Sequence, residues 1–138
     1  MGAESISIFV IEDDDVDFKI LKHEFAKNKI INPIVRAKDG LDGIEQLTSG
    51  AVSKPYVILL DLNMPRMSGM EFLDALRNNK EHEDAVVFVL TTSADIDDIR
   101  HSYEKHAAGY FLKDDANLSI ERLVEVLGGY FEIVLLPR

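Results

Sequence analysis

Cysteine is absent from this chain of 138 residues, which excludes disulfides and thiolate metal sites. No apolar run approaches the length that crosses a bilayer and no signal peptide opens the chain, so a cytoplasmic protein without membrane contact is the expectation. Positive charge is scarce. The 15 Lys and Arg against 25 Asp and Glu leave a formal net charge of -10, which argues against nucleic-acid binding, where basic side chains neutralise phosphates. Internal repeats, low-complexity tracts and linkers are also missing. What is present is ordinary for one packed domain: 46% hydrophobic residues and a length that suits a single core.

The most informative stretch is Val57-Ile58-Leu59-Leu60-Asp61-Leu62-Asn63-Met64-Pro65. Its apolar run stops at a carboxylate, and the proline prevents regular structure from continuing. Such a run reads as a strand covered on both faces, whose end points out of a sheet. Open α/β sheets carry their ligand crevice at those ends. A second strand, Ile6 to Ile11, runs into Glu12-Asp13-Asp14-Asp15. Carboxylates brought close in a fold need a cation or a proton. Oxygen donors with room for water suit Mg2+, which takes one or two carboxylates and phosphate oxygens.

Strand-like and helix-like segments alternate along the whole chain. Val16, Ile20, Leu21, Glu24 and Phe25 have helical spacing, with Asp14 or Asp15 as N-cap. Pro33 to Ala37 is a short strand followed by a turn at Asp39-Gly40; Leu41, Ile44 and Leu47 mark a helix that Gly50 ends. A third helix carries Met70, Phe72, Leu73 and Leu76. Ala85 to Leu90 is a strand delivering Thr91, Thr92 and Ser93, and Ile96, Ile99, Tyr103 and Ala107 suit a helix capped by Asp95. Gly109 to Leu112 is a fifth strand ending at Lys113, and Ser119 caps a last helix through Ile120, Leu123, Val124 and Leu127. Five βα units predict a parallel sheet with helices on both faces. The loops that converge on one edge then carry Glu12, Asp13, Asp61, Thr91 and Lys113.

Each of these residues has a plainer reading. Asp61 alone could be a solvated strand end. An acidic helix start is favoured by the helix dipole, and that account serves Asp14, Asp15 and Asp17 better than Glu12 and Asp13, which adjoin the strand. Lys113 could be a surface lysine; beside three carboxylates it becomes an ion-pair partner and phosphate binder. Spacing does not choose among the Thr91, Thr92 and Ser93 hydroxyls, and Tyr110 reads first as core packing. His23, His82, His101 and His106 have no neighbours that make a metal site or a catalytic base.

The chain resembles the receiver domains of two-component response regulators. The resemblance is carried by Val10-Ile11-Glu12-Asp13-Asp14, by Leu59 through Gly69, by Val89-Leu90-Thr91-Thr92-Ser93 and by Gly109-Tyr110-Phe111-Leu112-Lys113. It implies a flavodoxin-like, doubly wound five-stranded parallel sheet in the order 2-1-3-4-5. It also implies that Asp61 accepts a phosphoryl group from a histidine kinase in a phosphorelay. Asp13 would ligate Mg2+ directly, Glu12 through water and Asn63 by its backbone carbonyl. Thr91 and Lys113 would contact the phosphoryl oxygens, and Tyr110 would be the aromatic that turns inward. One departure is Asp114, where the family usually has a proline in a cis bond; Asp114 and Asp115 add negative charge near Lys113.

A narrower likeness, to stand-alone receivers paired with bacterial and cyanobacterial phytochromes, rests on Leu90 to Ser93, Asp97 to Tyr103 and Ala116 to Ser119. Little chain follows the last helix, so no DNA-binding output domain is expected. Output would come through protein contact, or through relay to a histidine phosphotransfer protein. Residues 1–129 are expected to form the domain, and the apolar tail 130–138 to dock on a second copy across a hinge at Gly128-Gly129. Two rival functions differ in chemistry. An aspartyl-nucleophile phosphatase wants a second Asp where Asn63 stands, and an interaction module would keep the fold without phosphorylation. A flavin protein is disfavoured by the acidic first loop.

Overall fold

The apolar runs become five strands separated by five helices in the computed structural model, which describes residues 5–114 and 116–138. In chain order these are β1 Ser7–Ile11, α1 Asp15–Lys27, β2 Ile34–Ala37, α2 Gly40–Ser49, β3 Tyr56–Leu60, α3 Gly69–Arg77, β4 Val86–Thr91, α4 Ile96–Glu104, β5 Gly109–Leu112 and α5 Leu118–Ile133. All pairings are parallel, as the alternation of segments predicts, and the sheet order is β2-β1-β3-β4-β5, as the resemblance implies. Among the described residues no helix is long and apolar enough to cross a membrane.

Every residue of β3 is buried, which explains its unbroken apolar run: both of its faces are covered. Alternate side chains feed two cores. On one face Phe9, Ile11, Ile58, Leu60, Val87 and Val89 pack with Leu47, Phe72, Leu73 and Leu76 from α2 and α3. On the other, Ile8, Val10, Val57, Leu59 and Leu90 meet Leu21 and Phe25 of α1 and Ile120, Leu123, Val124 and Leu127 of α5. Each fully buried side chain of this size contributes roughly 1.5–3 kcal/mol relative to leaving it in water.

The helix ends follow local chemistry. Asp14 caps α1, accepting from the Val16 and Asp17 N–H groups, and Gly50 closes α2 in the left-handed region at φ 80°. The turn at Asp39-Gly40 is itself a cap, since Asp39 accepts from the Asp42 N–H and α2 begins at Gly40. Three expectations fail in whole or in part. Ser119 does not cap α5; Asn117 holds that place at φ 59° without a side-chain cap bond, and the Ser119 hydroxyl points to Asp114 instead. The α4 expectation holds only in part: Asp95 caps the helix, but it stops at Glu104, short of Ala107, and Ile96 is 69% and Tyr103 50% exposed. The buried residue of this helix is Ser102, whose hydroxyl bonds the Asp98 carbonyl. Among the described residues the cis peptide bond is Lys54–Pro55.

The third failure is the hinge. Helix α5 runs unbroken through Gly128 and Gly129 to Ile133. Beyond the pair, Phe131 is 6% exposed in the second core, with Tyr130, Val134 and Leu136 packed beside it. Glycine costs a helix about 1 kcal/mol relative to alanine, too little to break one that buries an aromatic ring just beyond. Phe131→Ala is therefore expected to cost about 3 kcal/mol, read as a lower urea midpoint with an unchanged slope. A midpoint equal to the parent's would make residues 130–138 an independent tail after all.

Candidate functional site

The register of the sheet places the acidic groups. Ile11 pairs with Leu60, so the next residues, Glu12 and Asp61, leave the sheet side by side. The Asp61 N–H donates to the Ile11 carbonyl and the Glu12 N–H to the Ala37 carbonyl, each at 3.0 Å. Neighbouring strands on opposite sides of β1 send their connections apart here, which opens the crevice of a doubly wound sheet. Carboxylate oxygens of Glu12, Asp13 and Asp61 fall within 4.8 Å of one another; Glu12 and Asp61 are buried, Asp13 is exposed. These are hard donors with one solvent-facing member, a set that fits a hydrated divalent cation such as Mg2+.

Lys113 arrives from the end of β5, where its N–H donates to the Thr91 carbonyl at 2.8 Å. Its side chain is 8% exposed, and its ammonium lies 2.7 Å from Glu12 Oε1, 2.9 Å from Asp17 Oδ2 and 3.5 Å from Asp61 Oδ2. Three carboxylates thus crowd around one ammonium, with Asp13 beside two of them. Burial, followed by the charge of Asp61, pushes the Glu12 carboxyl up from 4.5 to about 7, although bonds from Lys113 and the Asp14 N–H pull the other way. Burial opposes the Lys113 ammonium, but hydrogen bonding to Glu12 and the charges of Glu12, Asp17 and Asp61 more than offset it and hold its pKa above the ordinary lysine value.

Around this centre the other expected residues converge. Thr91 is fully buried, and the Asn63 side-chain amide lies 3.5 Å from its hydroxyl and 3.4 Å from that of Thr92. The Asn63 N–H donates to Asp61 Oδ1 at 3.3 Å. Ser93 is otherwise engaged, donating to Asp98 Oδ2 at 2.6 Å. The Tyr110 ring packs on the first core, and its hydroxyl donates to the Ser93 carbonyl at 2.8 Å, tying β5 to the loop that follows Thr91. The histidines stand apart from the site: His82 is buried against the Tyr56 hydroxyl at 2.6 Å and His101 meets Asp74 at 2.9 Å. Asp115, expected to add negative charge near Lys113, lies outside the described residues.

Sequence reasoning placed Asp17 at a helix start and missed its bond to Lys113, which closes across 96 positions of chain. No local signal separates it from Asp15, which instead pairs with Arg36 at 2.7 Å. Arg36 also grips the Glu12 carbonyl, at 2.9 and 3.1 Å, and so fixes the acidic loop. The loop after Asp61 is pinned as firmly. Arg66, at φ 61°, makes a two-pronged bond to buried Asp39, and the guanidinium holds the Asp39 carboxyl below its usual range. A Cβ on Gly69 would collide with the Asp61 carbonyl and sit 2.6 Å from Leu62 Cα, so only glycine lets α3 start so close to the site.

The Glu12 shift fixes a pH dependence. Between 4.5 and about 7 the folded chain keeps a proton that the unfolded chain has lost, so stability falls as pH rises through this window and the penalty is complete above it. Without divalent metal, Glu12→Gln should remove that decline. The variant is expected to melt a few degrees above the parent at pH 8, about 1–3 kcal/mol, and close to it at pH 4.5. Thermal unfolding in chelator across the range checks this; parallel curves would show that Glu12 is not strained.

The comparisons with known proteins agree with this geometry. The model of the response regulator receiver domain matches residues 8–127. The chain is 30% identical over 135 residues to the response regulator Rcp1 of Synechocystis, covering 94% of this chain and 92% of that protein. It is 29% identical over 127 residues to the probable methanogenesis regulatory protein FilR2 of Methanothrix harundinacea, covering 90% and 82%. Of solved structures, the phosphorylated cyanobacterial phytochrome response regulator RcpA superposes with a TM-score of 0.88 at 28% identity, covering 98% of this chain and 100% of that one. The Mn2+-bound form of Rcp1 gives 0.86 at 29% identity, covering 96% and 99%. With its sheet order, its acidic crevice and this family match, the chain belongs to the response regulator receiver domains, the phosphorelay receivers of two-component signalling.

Proposed function

We propose that this receiver takes a phosphoryl group on Asp61 from the phosphohistidine of a partner sensor histidine kinase and relays the change through a protein-binding face. The observation that carries the reading is the charge imbalance. Three carboxylates share one ammonium with Asp13 close by, and burial together with the charge of Asp61 makes Glu12 hold its proton to about pH 7. Asp13, Asp61 and the Asn63 backbone carbonyl would hold Mg2+ directly, with Glu12 acting through water. The ion, when bound, neutralises the oxygens of the group in transfer.

The chain's own residues do the rest. An Asp61 carboxylate oxygen attacks phosphorus in line, the P–N bond to the kinase imidazole breaks, and its electron pair stays on that nitrogen. Lys113 supplies fixed positive charge at the phosphoryl oxygens. Asn63 touches both Asp61 and Thr91, so a new anion at Asp61 offers the Thr91 hydroxyl an acceptor. Movement of Thr91 is passed to Tyr110 through the Ser93 carbonyl. The face built by α4, β5 and α5 carries exposed Ile96, Tyr103, Leu112 and Val126 and would report the change.

Likeness to RcpA, a phytochrome response regulator, supports a phytochrome-class kinase as the donor and light as the signal. In α5 and its continuation Ile133 is 84% and Leu135 92% exposed, which supports docking on a second copy. Incubation with Mg2+ and acetyl phosphate is expected to add one phosphoryl group by intact mass, labile to hydroxylamine. It should vanish in chelator and in Asp61→Asn; a stable or Asp61-independent adduct refutes the proposal. Light scattering should report a dimer that Ile133→Asp with Leu135→Asp dissociates, and a monomeric parent removes that part of the reading.

A further inference from the structure

We infer that Asp17 is a positioning residue that competes with the phosphoryl group for Lys113 and thereby weakens the hold on the switched state. The inference rests on the phosphoacceptor reading of Asp61. An ammonium has three N–H donors and no more. Here three carboxylates take them: Glu12 at 2.7 Å, Asp17 at 2.9 Å and Asp61 at 3.5 Å. The two short contacts have the length of charge-assisted bonds, and the one to Asp61 does not. Lys113 is therefore drawn toward Glu12 and Asp17 and away from the carboxylate it is expected to serve.

An arriving phosphoryl oxygen must displace one of these acceptors. Glu12 lies with Asp13 and Asp61 within reach of one cation, so a cation there relieves its claim on Lys113. Asp17 is outside that cluster and keeps its claim. Its place is set by α1, because its N–H donates to the capping Asp14 carboxylate at 3.0 Å. Asp14 is spent on that cap and Asp15 on Arg36, which leaves Asp17 as the first-turn acid that reaches Lys113. Its side chain is 28% exposed, so water screens its charge incompletely. Competition for the ammonium and repulsion of a phosphoryl anion act in the same direction.

Beryllofluoride, a phosphoryl mimic that binds carboxylates at equilibrium, tests this by calorimetry on the whole chain with Mg2+ present. Asp17→Asn keeps the size and an acceptor oxygen but loses the charge, and is expected to tighten binding roughly three- to fivefold. Asp17→Ser should tighten it as well, and Asp17→Glu, which restores the charge, should stay near the parent. A residue needed merely for structure would weaken binding in all three. Equal or weaker binding in Asp17→Asn and Asp17→Ser, with parent binding lost in Asp61→Asn, overturns this inference alone. A parent that does not bind the mimic, or binds it unchanged in Asp61→Asn, overturns both this inference and the phosphoacceptor reading.

Discussion

One ammonium set among three carboxylates is the constraint around which this receiver is organised. Lys113 is nearly out of solvent, and so are Glu12 and Asp61. In water such charges would be screened and cheap; at the sheet edge they are neither. Burial, followed by the charge of Asp61, makes the Glu12 carboxyl hold its proton to about pH 7. A site that is short of positive charge is a site prepared for a cation. Its remaining negative charge is tolerated because the backbone beneath it cannot spread: Glu12 and Asp61 are fixed by bonds to adjacent strands.

The scaffold supplies that rigidity by ordinary means. Two apolar cores clamp the central strands from both sides, so the strand ends stay where the register puts them. The two acidic loops are then held from outside, one by Arg36 on the Glu12 carbonyl, the other by Arg66 on Asp39. Gly69 lets α3 begin against the Asp61 backbone, and the reciprocal Ser68–Glu71 capping box starts that helix cleanly. Opposite them the structure is looser. Helix α4 has a single buried residue and presents Ile96 and Tyr103 to solvent, and it leans on α3 and β5. A charge event at the stiff side and a lightly packed element at the other are what a switch of this family needs. Between them lie the bonds from Asn63 to Thr91 and from Tyr110 to the Ser93 carbonyl.

Much of this was legible in the residues alone, and for definite reasons. Runs such as Val57 to Leu60 have one stable use in a small domain, a strand covered on both faces, and five alternations leave few topologies. Because side chains at parallel strand ends gather at one edge, Glu12, Asp13, Asp61, Thr91 and Lys113 could be placed together before any coordinates. What misled was local ambiguity. Ser119 looked like the cap of α5, yet Asn117 holds that place. Two glycines before an apolar tail looked like a hinge, yet Phe131 finds a core to fill.

The sequence by itself therefore determined the architecture, the acidic edge and the identity of the central carboxylate, since these follow from hydrophobic period and from charges at strand ends. The tertiary structure alone decided how Lys113 divides its three donors, which hydroxyl lies buried at the site, and that α5 continues to Ile133. Those outcomes depend on contacts between residues far apart in the chain, as with Asp17 and Lys113, and no local pattern encodes the distance at which two such groups meet once the sheet has closed.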